Sequence, residues 1–81
     1  MMDRLREHIA QWNPDEVEKS AHKLKGSSLN LGADQLAQML NEMEQIGREN
    51  DRSGSQELLS RIDAEFREIT RELQALVDEN P

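Results

Sequence analysis

The stretch AHKLKGSSLNLGA, residues 21–33, sets His22, Lys25 and Gly26 within little more than one helical turn of each other. An imidazole is substantially neutral near pH 7, so a ring nitrogen can attack phosphorus. A phosphoryl group on that ring would bring negative charge and acceptor oxygens. A lysine three residues on can place an ammonium beside them. Glycine four residues on costs about 1 kcal/mol relative to alanine in a helix interior, and leaves bare backbone beside the ring. The pattern suits an imidazole that a second protein must reach. The plainer reading is a solvated histidine, and the glycine and lysine in register weigh against it.

The stripe Val17, Ala21, Leu24, Ser28 and Leu31 marks the buried face of the helix that carries this stretch. Residues turn by about 100° each, which puts His22 roughly 140° from the stripe, on the solvent side. Glu18, Lys25, Gly26 and Leu29 are its surface neighbours by spacing. Leu29 offers an apolar foothold two turns along. Ser27 and Ser28 are small, and Ser28 lies on the packed side.

Other chemistries lack their residues. His8 and His22 are the only histidines and fall on different helices, with no HExxH arrangement, so no metal site is expected. His8, beside Ile9, reads as a partly exposed packing residue. Ser27 and Ser28 stand five and six residues from His22 and point elsewhere, which argues against a Ser-His-acid triad. No Gly-rich phosphate loop is present, so the chain cannot load His22 from ATP itself. Cysteine is absent, which removes thiol catalysis and thiolate metal sites.

The chain has 81 residues, enough for one small domain. Its net charge of −7 argues against nucleic acid as a partner. The charge is uneven. Residues 1–31 sum to zero, residues 32–81 carry the whole deficit, and all three lysines (Lys19, Lys23 and Lys25) fall within seven positions. No apolar run approaches the roughly 18 residues of a membrane span. The start, MMDRLREHIAQW, lacks the apolar segment of a signal peptide. A soluble cytoplasmic chain without membrane contact is expected, and its dense surface charge suits a monomer.

Four apolar stripes at helical spacing position these residues, and no strand pattern competes. Leu5, Ile9 and Trp12 form a short first stripe. Asn13 and Pro14 then read as N-cap and first residue of the second helix, which Gly32 stops. Leu36, Met39, Leu40, Met43 and Ile46 mark the third helix, closed by GRENDRSGS. Ser53 and Gln56 fit a capping box, with Ser55 as the rival cap. The fourth stripe is Leu58, Leu59, Ile62, Phe66, Ile69, Leu73 and Leu76. The methionines and Phe66 read as core filler. Short connections predict an all-α, antiparallel up-down four-helix bundle with a short first helix. The helices are expected at about 2–12, 14–31, 33–49 and 55–78, in a single domain over 1–81.

The residues His22, Leu24, Lys25, Gly26, Ser27, Ser28, Leu31, Gly32 and Ala33 resemble the signature of the histidine phosphotransfer (HPt) domain. The segment LAQMLNEMEQIGREN is similar to that family's next helix, with Leu36, Leu40, Met43 and Glu44 in place. The resemblance is specific from about Val17 to Asn50. Family members often have a longer helical segment before the short first helix seen here.

The resemblance implies a phosphorelay carrier rather than an enzyme. His22 would accept a phosphoryl group from a receiver-domain aspartate and pass it to an aspartate of a response regulator. Lys25 would stabilise the phosphorylated state, and Gly26 would clear the approach. The implied partners are receiver domains of response regulators and of a hybrid histidine kinase, of which this chain could be the terminal domain. Magnesium would sit in the receiver's acidic site, since Glu18 is the one carboxylate expected near His22. From helical geometry, Glu18, Lys19, Lys23 and Leu29 are expected to form the docking rim. The rival reading is a helical adaptor or dimerisation bundle without chemistry, supported by the coiled-coil spacing of the fourth stripe.

Overall fold

Four helices follow one another along the chain: α1 over Met2–Gln11, α2 over Pro14–Asn30, α3 over Asp34–Arg48 and α4 over Ser55–Glu79. They come from a computed structural model that describes residues 2–79, and side chains over 2–75. Strands are absent among the described residues. The helix ends fall within one residue of the sequence expectation. The side chain of Leu76 lies outside the described residues.

Local sequence explains most boundaries. Pro14 opens α2 where its missing N–H is harmless, and Asp15 and Glu16 complement the helix's positive end. Asn13 holds the N-cap position, but its side chain makes no capping bond, so the expected Asn cap is geometric only. Gly32 ends α2 at φ +75°, a left-handed conformation that favours glycine. There the Ala33 N–H donates to the Ser28 carbonyl at 2.8 Å. The expected capping box at α4 is not formed. Gly54, at φ +78°, turns the chain one residue later than that reading requires. The Ser53 N–H instead donates to Asp51 Oδ1 at 3.1 Å. Ser55 is already inside the helix, with its hydroxyl buried and unpartnered.

The core joins Leu5 and Ile9 of α1, Val17, Ala21 and Leu24 of α2, Leu36, Leu40 and Met43 of α3, and Leu58, Leu59 and Ile62 of α4. Three expected core residues are instead exposed. Leu31 is 73% exposed, because α2 stops at Asn30 and the cap swings it off the stripe. Phe66 and Leu73 are 43% and 52% exposed. Arg6 of α1 meets Asp63 of α4 at 2.6 Å, which leaves one turn of α1 to cover the rest of the longer helix. The reading of Phe66 as core filler is therefore corrected. It borders an apolar cleft of about 480 Å³, shared with Met2, Leu24, Leu31, Leu36 and Ile69.

Across α2 and α3, Glu18 meets Arg48, His22 meets Glu44 and Lys25 meets Asn41, so position falls on one helix as it rises on the other. Gly47 lets the two backbones close up. A Cβ there would stand 2.7 Å from the Glu18 nitrogen and 2.8 Å from the Pro14 carbonyl oxygen. Gly47→Ala should therefore lower stability by about 1–3 kcal/mol, the usual result of overpacking, despite alanine's better helix propensity. At Gly26 a Cβ meets nothing within 4 Å. Gly26→Ala should raise stability by up to about 1 kcal/mol. Thermal melts of the two variants check the opposite signs.

Candidate functional site

α2 turns His22 outward, and its side chain is 68% exposed, as the helical spacing requires. The ring is nevertheless held. His22 Nδ1 lies 2.7 Å from Glu44 Oε1, and Glu44, on α3, is only 5% exposed. A carboxylate oxygen accepts, so Nδ1 carries the proton and Nε2 is left as the ring nitrogen with a free lone pair. The second Glu44 oxygen accepts from Lys25 Nζ at 2.7 Å, and Lys25 also donates to Asn41 Oδ1 at 3.2 Å. One buried carboxylate thus binds the imidazole and the ammonium together.

Glu44 was in view in the sequence as a matching residue, but its contact with His22 was not. Its signal was faint. It follows Leu40 by four and so falls on the inner side of α3, where a carboxylate needs partners. The expectation that Glu18 is the one carboxylate near His22 is corrected by this contact. Glu18 itself is tied to Arg48 Nε at 2.7 Å, and Arg48 Nη2 stands 3.8 Å from Glu44.

The remaining predicted residues divide between two places. Glu18, Lys19 and Lys23 line one cleft with His22, Glu44 and Arg48. Leu29 is 55% exposed but lies in a separate shallow groove on the far side of Lys25, with Ala37 and Asn41. Gly26 is open, with no atom in reach of an added Cβ. Ser28 donates its hydroxyl to the Leu24 carbonyl at 2.8 Å and stays buried, away from His22. Lys19 leans on Glu16 at 3.7 Å.

The electrostatics follow from these contacts. The hydrogen bond from Lys25, with His22 adding to it, holds the Glu44 carboxyl below the usual carboxylate range, although burial pushes the other way. Beside Glu18, the Arg48 guanidinium holds its proton even more tightly than usual.

The site is thus an exposed imidazole with one nitrogen fixed by a buried acid, on a bare helix face. The family model for the Hpt domain matches residues 1–79, and the chain belongs to that family. Hpt domains are phosphotransfer carriers of phosphorelays in two-component signalling, and they work with receiver domains. Comparison with curated proteins and with solved structures finds no match. No helix among the described residues is long and apolar enough to cross a membrane.

Because the folded-state value of Glu44 is lowered, its contribution to stability is complete above the ordinary carboxylate range of the unfolded chain. It is lost as pH falls through the lowered folded value. Urea unfolding of the wild type and of Glu44→Gln, compared between about pH 6 and 3, should show the wild type losing the steeper share of stability at the acid end.

Proposed function

We propose that His22 is the phosphoacceptor, and that the chain takes its phosphoryl group from a receiver-domain aspartate and passes it to an aspartate of a response regulator. The observation that carries this reading is the exposed His22 ring with Nδ1 anchored on buried Glu44. In the transfer, Nε2 forms a bond to phosphorus while the bond from phosphorus to the aspartyl oxygen breaks, and the aspartate leaves as a carboxylate. The imidazole keeps its Nδ1 proton and gains positive charge, which the Glu44 carboxylate offsets. Lys25, already beside Glu44, has only to reach across to the phosphoryl oxygens. The step is reversible in this scheme, so the chain can drain phosphate as well as deliver it.

The partner's approach is over Gly26, whose face is open. Glu18, Lys19 and Lys23 form the docking rim around His22, with Leu29 as an outlying apolar contact. The magnesium ion belongs to the receiver, where the aspartate is. Without a phosphate loop the chain depends on a kinase for phosphate, and it fits the terminal domain of a hybrid histidine kinase. We take residues 1–81 as a single domain, cytoplasmic and monomeric, with its four helices running up and down in turn. The falling register from Glu18–Arg48 to Lys25–Asn41 supports that order for α2 and α3.

His22→Gln should abolish labelling by phosphorylated receiver domains while shifting stability by about 1 kcal/mol or less, since the ring is mostly solvated and Lys25 still donates to Glu44. Wild-type label should be acid-labile and alkali-stable, as phosphohistidine is. Retention of label in His22→Gln would defeat the assignment. Gly26→Arg should slow transfer by at least tenfold without loss of folding, because it fills the open approach. Unchanged transfer rates would defeat the docking face.

A further inference from the structure

A second cleft, of about 460 Å³, lies between α1 and α2 and is lined by Arg4, His8, Glu16, Ser20, Lys23 and Leu24. Its composition is unlike the apolar cleft beside Phe66. Arg4 and His8 stand one turn apart on α1; Glu16, Ser20 and Lys23 stand at successive turns on α2. Among the described residues, Arg4, Ser20 and Lys23 make no side-chain hydrogen bond or ion pair. Two unpaired cations on one concavity are unusual in a chain of net charge −7.

His8 adds a directional donor. Its Nδ1 is sealed from solvent and has no partner. A proton on that nitrogen would be a buried donor with nothing to bond, which costs free energy. On a neutral ring the proton then sits on Nε2, away from that sealed position. Arg4, Lys23, Ser20 and His8 all carry donors, and all four line the same cleft. Glu16 is the exception. It is drawn toward Lys19 at 3.7 Å and stands an α-helical turn below Ser20, nearer the α1–α2 connection.

We propose that this cleft is a second anion site, separate from His22, which takes a small phosphate monoester. The phosphate would sit among Arg4, His8, Ser20 and Lys23, and a cationic or hydroxyl group on the same molecule would face Glu16. Lys23 also borders the His22 cleft. An occupant of the second site thus draws on a cation that the docking rim shares.

The test is a titration of the isotopically labelled full chain followed by NMR, with inorganic phosphate and then phosphoethanolamine, at constant ionic strength. Saturable shifts are expected at the His8 ring and at Ser20 and Lys23, with half-saturation near about 1–10 mM for phosphate. Phosphoethanolamine should bind at least threefold tighter, and Glu16→Gln should remove that advantage. Arg4→Ala with Lys23→Ala should weaken binding at least tenfold while the melting curve stays in place, since both side chains are exposed. Shifts that rise linearly without saturation, that centre on His22 and Lys25, or that persist unchanged in the double variant would each overturn the site.

Discussion

One buried carboxylate organises this protein. Glu44 sits on the inner side of α3, almost out of solvent, and accepts from His22 and Lys25 on α2 at the same 2.7 Å. A buried charge without partners is strongly unfavourable, so the two helices must present both donors to it. That requirement fixes the rotation of α2 relative to α3. It also fixes the imidazole, since the nitrogen that meets Glu44 cannot be the one that meets a partner. Helix packing and ring orientation therefore draw on a single carboxylate.

The rest of the bundle serves that geometry. Gly47 brings the α3 backbone against the first turn of α2, and Arg48 ties Glu18 across the same seam. The Trp12 indole donates to Asn50 at 2.8 Å, joining the α1–α2 turn to the end of α3. Both residues lie in left-handed backbone, at φ 51° and 53°. Non-glycine residues adopt that conformation where the surroundings enforce it. The seam is thus closed at its turn end and left open above Gly26.

Much of this was legible in the chain. Helix number and limits follow from stripes with a 3.6-residue period, punctuated by Pro14, Gly32 and the GRENDRSGS turn. The outward direction of His22 follows from the same period. The misread residues have two causes. Phe66 and Leu73 continue their stripe in sequence but run past the neighbour that would cover them, whereas Leu31 falls beyond the end of α2 at Asn30. Periodicity reports which side of a helix is apolar, and it is blind to the length of the helix opposite. The Ser53 and Ser55 caps failed for a related reason: Gly54 sets where α4 begins, and spacing alone did not show it.

The sequence by itself determined the elements and the outward face of α2, because both depend on interactions within a few residues: helix periodicity, a proline start, a glycine stop, and His22, Lys25 and Gly26 at neighbouring positions on one helix. Tertiary structure alone decided what holds that face. The partners of His22 and Lys25 lie 22 and 19 positions away on another helix. Likewise, the cations of the α1–α2 cleft, Arg4 and Lys23, come together only when two helices pack. Long-range contacts are set by how rigid helices fit against one another, and a local pattern does not record that fit.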